Sequence, residues 1–292
     1  MKLFYFTLFD SLGFFATLSP VIVGALASDY VGRLNIALEG LILAGAFTAA
    51  ALGARFGLAA GYLGAMAAAG ILAWLADKFS QKSGADSFVV GLGLNMAFPA
   101  FTSILSLVIF NTKGVMPLGH LLSGRLVPGL EPGSSFFSAF NLRYSDYASI
   151  ASMLALAMIM QCTAFGKRAI ALGMKEEAIL IAGLQPGSIR SRALLLSGLA
   201  GGAAGASLVA SVGAWVPNMS AGRGWIALVA VYLGGRQLFG SLLAGFVFAF
   251  LLALATRAQS FLALPTEILM AIPYFLTAIG MAFGPAFSKK NY

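Results

Sequence analysis

The chain has 292 residues, of which 60% are hydrophobic and 10% charged. Water-soluble domains run near ~45–50% apolar and ~25% charged, so a soluble globule is excluded and the chain reads as an integral membrane protein. The single cysteine, Cys162, excludes a disulfide-stapled scaffold, and the net charge of +8 is scattered over separate loops, which fits membrane-surface anchoring and excludes a nucleic-acid patch.

Crossing ~30 Å of hydrocarbon takes roughly 20 mostly apolar residues. In chain order, stretches free of Asp, Glu, Lys and Arg predict spans at Ser11–Ser28, Ile36–Ala54 (interrupted by Glu39), Gly57–Ala76, Ser87–Phe110, Tyr147–Gly166, Ala193–Ser211, Gln237–Thr256 and Ile268–Ser288. Gly224–Gly235 is a ninth, short one. Barrel strands would alternate polar and apolar residues, whereas these runs are apolar all round. The predicted fold is therefore all-α: a polytopic transmembrane helical bundle of about nine spans, eight full-length plus one short, in a single domain over residues 1–292. The first 28 residues also imitate a secretory signal, with Lys2, an apolar stretch and Ala25-Leu26-Ala27 as a cleavage-like site. Asp10 splits that apolar stretch, which favours an uncleaved first helix.

Orientation follows from the placement of Lys and Arg. With nine crossings and a cytoplasmic C-terminus, eleven of the eighteen basic residues fall inside, including the cluster Lys167–Arg192 and the pair Lys289-Lys290. The N-terminus is then outside, and the odd count makes a full crossing by Gly224–Gly235 preferable to a re-entrant half-span.

Two connections are long. Residues 111–146, rich in Gly, Pro and Ser and holding the only histidine, His120, lie outside and are a candidate cap or docking surface. Residues 167–192 lie inside and read as an amphipathic helix closed by Gly183 and Pro186-Gly187. Its apolar face requires either a partner or the lipid headgroups.

Catalytic chemistry finds little support. There is no HExxH, no paired cysteine, no carboxylate cluster for a metal and no GxxxxGK[ST] for a nucleotide. Glu39 is the acid within an apolar run, and it has two readings: a marker of a transport path, or a charge favouring a helix N-terminus near the cytoplasmic interface. An internal echo pairs Gly32-Arg33-x-x-Ile36-Ala37-Leu38 with Gly222-Arg223-x-x-Ile226-Ala227-Leu228. The predicted topology puts the two copies on opposite sides of the membrane, as an inverted repeat would; five matches in an Ala/Leu/Gly-rich chain also arise by coincidence.

Asn35-Ile-Ala-Leu-Glu39-Gly40 followed by Ala44-Gly45-Ala46 resembles the Asn-Ile-Gly-x-Glu-Gly signature of permease subunits in bacterial ATP-binding-cassette (ABC) importers for nucleosides, within the wider ribose-type and simple-sugar permease family. Gly166–Gly205, with Ala171, Gly173, Ala182-Gly183-Leu184, Ser197-Gly198 and Ala200-Gly201, is similar to that family's cytoplasmic coupling loop and following helix. Ala221–Leu228, closed by Gly234-Gly235, resembles its Ala-Gly-x-Gly-aromatic-Ile-Ala-Leu segment. The likeness runs in order over residues 12–288. It departs at Ile170-Ala171, where the family has Arg-Ala, and at Lys175-Glu176, where it has Asn-Pro. Leu38-Glu39-Gly40 in place of the sugar branch's Asp-Leu-Ser favours nucleosides; riboflavin or a simple sugar is the alternative within the same class, and an ion-coupled secondary transporter is the alternative outside it.

The resemblance implies a permease that is no enzyme and holds no cofactor or metal, ATP being bound by a partner ATPase. It implies three further partners: a second homologous permease (as a heterodimer), an extracytoplasmic substrate-binding lipoprotein and the bilayer of the bacterial inner membrane. It places the ATPase contact on a coupling helix, Lys175–Gly183, with Lys175, Glu176, Glu177, Ala182 and Gly183 at the interface. The substrate path is expected along Asn35, Glu39, Asn95, Phe98, Asn218 and Trp225, because a flat base stacks on aromatic faces while hydroxyls and ring nitrogens pair with amides and carboxylates.

Overall fold

The structure is a computed structural model describing residues 2–118 and 142–258. His120, the basic pair Lys289-Lys290 and the predicted span Ile268–Ser288 lie outside the described residues. In order the elements are α1 (Lys2–Tyr30), α2 (Leu38–Phe56), α3 (Leu58–Ser83), α4 (Ser87–Phe110), β1 (Met116–Pro117), α5 (Tyr144–Cys162), α6 (Ala164–Met174), α7 (Glu176–Ile181), α8 (Pro186–Val212), β2 (Ala214–Trp215), α9 (Arg223–Leu233) and α10 (Leu238–Ala258).

Six described helices, α1 to α4, α8 and α10, are long and apolar enough to cross a membrane, and α5 with α6 makes a seventh candidate bent by 68°. Cross-links fix their alternation. At one end, called inner because it carries the predicted cytoplasmic loop, Arg236 Nε meets Asp29 Oδ2 at 2.6 Å, Gln161 meets the Tyr30 hydroxyl at 3.3 Å and Gln81 meets Ser191 at 3.0 Å. At the outer end Asp10 pairs with Arg257 at 2.6 Å, the Tyr62 hydroxyl and Ser149 Oγ are 2.9 Å apart, and β1 pairs antiparallel with β2 through Met116↔Trp215 and Pro117↔Ala214.

The centre of the bundle is α8 wedged against α2 and α3, and its sequence explains why. Without a hydrophobic drive between helices in lipid, close backbone approach through small residues does the packing. Gly198 and Gly202 of α8 face α3, and Gly201 and Gly205 face α2; a Cβ at Gly45 would lie 2.6 Å from Gly202 Cα, and one at Gly205 would collide with Ile42 O. Around this seam lie Ile22, Leu38, Ile42, Val209 and the fully buried Trp215.

Three expectations need correction. Gly224–Gly235 is not a short spanning helix: α9 has 11 residues, about 16 Å at 1.5 Å per residue. The chain leaves α8 at the outer end, returns through non-helical residues 216–222 to the depth of Glu39, and only then descends as α9 to the inner end, where Arg236 meets Asp29. The echoed heptapeptides do not lie on opposite sides of the membrane either. Gly32–Ala37 is turn and irregular backbone before α2, whereas Arg223 already opens α9, and the second copy begins in contact with Glu39 rather than across the membrane. Last, the inner connection is not one helix but α6, α7 and the start of α8, because Pro186 occupies the first turn of α8, where its missing N–H costs nothing.

Candidate functional site

Between α1 and α2 the backbone is non-helical although Val31, Asn35, Ile36 and Ala37 are buried. Such a break at membrane depth is tolerated only if its polar groups find partners. They do. Arg33 N donates to Ser28 O at 3.2 Å, Asn35 N to Ser28 Oγ at 3.1 Å, and the Asn35 side-chain amide to Ser197 Oγ on α8 at 3.0 Å. Asn95 on α4 spans the start of α2: its Nδ2 donates to Ile36 O at 2.7 Å and its Oδ1 accepts from Gly40 N at 2.8 Å. The residue at the N-cap, Ala37, has no side chain able to do this, so α4 caps α2 from outside.

Glu39 repeats the device one step further along. Its Oε1 accepts the Gly222 N–H at 2.7 Å and its Oε2 the Gly224 N–H at 2.8 Å. The N-cap of α9 is Gly222, which likewise offers no side chain. A carboxylate taking two orphan N–H groups at a helix N-terminus is favoured by both charge-assisted hydrogen bonding and the helix dipole. Gly224 is required here: a Cβ would sit 2.5 Å from Glu39 N.

The predicted path residues thus divide. Asn35, Glu39, Asn95 and Phe98 come together around the start of α2, with Phe98 buried to 6% exposure against Gly40. Their polar contacts run to backbone groups and to Ser197. Trp225, next to the clamped Gly224, is 39% exposed, and Asn218, in the left-handed region at φ 56°, is exposed at the turn leading into α9. A crevice beside the break, lined by Arg33, Asn35, Ala37, Asp77 and Val90, has a volume of ≈ 30 Å³, room for about two waters. A wider polar recess of ≈ 450 Å³ opens at the inner end between Arg33, Gln81 and Asp86.

Sequence reading missed Asp29, Asp77 and Asp146, which are buried at 3%, 5% and 2% exposure. Asp77 accepts from Ser191 Oγ and Gln81 Nε2, both at 2.6 Å, and pairs with Arg33 at 3.4 Å; Asp146 Oδ1 accepts from Ser207 at 3.4 Å. Each stands at the edge of an apolar run, where a charged residue reads from sequence as an interface residue. A partner of each lies far along the chain: Arg236 for Asp29, Arg33 and Ser191 for Asp77, and Ser207 for Asp146.

On the inner face, Lys175 separates α6 from α7, and Gly183 at φ 70° ends α7 in a Schellman-type turn, with Gly183 N donating to Leu180 O at 2.9 Å and Leu184 N to Ile179 O at 3.0 Å. Ile179 points inward, into a cluster with Leu172, Ile189 and Leu194. Met174, Leu180 and Ile181 stay exposed, Ile181 to 87%, as do Glu177 and Ala182. Arg190 grips Glu176 with two hydrogen bonds of 3.0 and 2.8 Å. That hydrogen-bonded guanidinium holds the Glu176 carboxyl below the usual carboxylate range.

A family model described as branched-chain amino acid transport system, permease component, matches residues 9–280. The chain is 27% identical to the guanosine ABC transporter permease protein NupQ of Bacillus subtilis, over 93% of this chain and 89% of that protein. It is 26% identical to the nucleoside ABC transporter permease protein NupC of Lactococcus lactis, over 92% and 91%. An ABC transporter solved in an inward-facing conformation has the same fold, with a TM-score of 0.59 at 18% identity over 94% of this chain and 84% of that one.

Proposed function

Since the chain belongs to the branched-chain amino acid transport system permease family, we propose that the substrate it passes across the membrane is a nucleoside. It is a multi-pass permease subunit of an ABC importer. The observation that carries the nucleoside reading is the full-length likeness to two nucleoside permeases, each matched over about nine-tenths of its own length.

The geometry supports a division of labour in the path. Trp225 and Asn218 offer the accessible aromatic face and amide that a base and its sugar need. Asn35, Glu39, Asn95 and Phe98 form the wall behind them, their polar groups engaged with the starts of α2 and α9. Passage needs weak binding, since affinity resides in the extracytoplasmic binding lipoprotein that delivers substrate to the outer face.

Energy comes from a separate ATPase. The exposed Met174, Leu180, Ile181 and Ala182, rimmed by Lys175, Glu176 and Glu177, offer an apolar ridge of helix-in-groove size on the inner face. A second, different permease completes the pathway as a heterodimer; the N-terminus is outside and the C-terminus cytoplasmic, in the inner membrane. The permease itself hydrolyses nothing and holds no cofactor.

The test is ATP hydrolysis by the complex reconstituted with its binding protein, in the presence of guanosine, uridine, riboflavin or arabinose. Stimulation by the nucleosides alone is expected. Stimulation by arabinose or riboflavin without nucleoside response overturns the substrate assignment.

A further inference from the structure

Among the described residues, four other than glycine have positive φ, and three of them flank α9: Asn218 at 56° and Ala221 at 45° before it, Arg236 at 59° after it. Gly222 at 82° and Gly235 at 67° complete the two corners. The left-handed region is unfavourable for a residue with a Cβ, Ala221 included. Strain of this kind persists only where surrounding contacts impose it, and it concentrates where a segment changes conformation in use.

Along its length α9 packs Ile226, Ala227, Leu228, Ala230 and Val231 into the main core, and its two ends carry specific polar contacts. At its first turn α9 is held by Glu39 through Gly222 and Gly224. At its last turn it is held by Arg236, whose Nε reaches the buried Asp29 at 2.6 Å while its N–H returns to Val231 O at 2.9 Å, and by Gly234 pressed against Gly240 and Ser241 of α10. With 11 residues, α9 is below the ~12–15 at which an isolated helix is even marginal in water, so the buried face and these end contacts together fix where it sits. Its outer corner continues through residues 216–217 into β2, which β1 joins to the long outer connection. Its inner corner joins the end of α1, where Tyr30 packs on Gly173 of α6. A half-length rod with strained corners therefore runs between the outer ribbon and the base of the coupling region, and it carries Trp225 on its first turn.

We infer that α9 is the moving part of the path and that Glu39 is its latch, a positioning residue that sets the first turn of α9, and with it Trp225, instead of a ligand of the substrate. This rests on the permease reading above. Latched, the carboxylate satisfies both amides and closes the depth of the path. Unlatched, Gly222 N–H, Gly224 N–H and the carboxylate are exposed to the water of the opened path, and the two corners absorb the rotation.

The test is hydrogen–deuterium exchange on the transporter reconstituted with its ATPase and binding protein, alongside uptake of labelled guanosine. In the wild type, trapping with ATP and vanadate is expected to accelerate exchange across residues 218–233 relative to the nucleotide-free complex, while residues 198–207 of α8 stay unchanged. Glu39→Gln retains one acceptor oxygen but turns an NH₂ toward the other amide; loss of that charge-assisted bond should speed exchange of the 222–224 amides about tenfold and lower the maximal uptake rate with KM unaltered. Equal exchange of residues 218–233 in both wild-type nucleotide states overturns the moving rod, whatever the variant does. A raised KM at unchanged maximal rate and unchanged exchange makes Glu39 a substrate ligand and overturns the latch. A wild-type complex that takes up no guanosine with ATP contradicts the nucleoside reading instead, and that result is separable because the exchange comparison needs no substrate.

Discussion

Glu39 accepts the backbone N–H of Gly222 at 2.7 Å across 183 positions of sequence. The contact joins the start of α2 to the start of α9, two helices that lack capping side chains of their own. Asn95 does the same for α2 from α4. Two interior polar side chains, Glu39 and Asn95, thus finish helices that begin inside the bundle.

Asn95→Ala leaves Gly40 N–H and Ile36 C=O without their partner in a non-aqueous setting. Each such loss costs about 1–3 kcal/mol, so thermal unfolding of the detergent-solubilised permease should occur several degrees lower. Asn95→Asp keeps an acceptor for Gly40 but sets a second oxygen against Ile36 O, and it should be no better than alanine. An unchanged melting profile for both variants contradicts the external cap.

Glycine substitutions separate packing from propensity. Gly205→Ala places a methyl on Ile42 O and Ala46 N, whereas Gly13→Ala meets nothing within 4 Å. Overpacking costs about 1–3 kcal/mol, while relief of helical glycine gains up to about 1 kcal/mol. The first variant should lower the melting temperature and the second leave it equal or higher. The reverse order contradicts the α2–α8 seam.

The long helices were legible because crossing hydrocarbon demands long apolar runs: α1 to α4, α8 and α10 overlap the predicted apolar runs almost throughout, with Glu39 inside α2. The Gly224–Gly235 run was misread for the same reason. Apolar length alone cannot show that residues 216–222 bend at Asn218 and Ala221, where φ is positive without glycine. The motif around Glu39 was visible, but its partner was not, since a backbone N–H far along the chain has no letter in the sequence. Asp77 was overlooked because its neutralising groups, Arg33, Gln81 and Ser191, come from three segments.

Ala182→Glu puts a bulky charge on the exposed ridge at the C-terminal end of α7. It should abolish substrate-stimulated ATP hydrolysis while the amount of permease in the membrane is unchanged. Because Arg190 holds the Glu176 carboxyl below its usual range, that ion pair is present at neutral pH and is lost only as pH falls through the lowered value. Docking of the ATPase should therefore be constant from neutral pH down to the ordinary carboxylate range, measured by co-purification; weakening already near neutrality contradicts the role of the pair.

Topology is accessible to labelling once the exposed Cys162 is replaced by serine. A cysteine at Val115, 55% exposed beside β1, should react with an impermeant maleimide added to intact cells. One at Lys175 should react only after the membrane is opened. Reaction of both from the same side contradicts the alternation of the bundle.

The most direct measurement is uptake of labelled guanosine into proteoliposomes holding this permease, its partner permease and the ATPase, with ATP enclosed with the ATPase and the binding protein opposite. Accumulation that requires ATP and is competed by unlabelled nucleosides but not by arabinose is the predicted result. Uptake of arabinose in its place, or guanosine movement indifferent to ATP, contradicts the account.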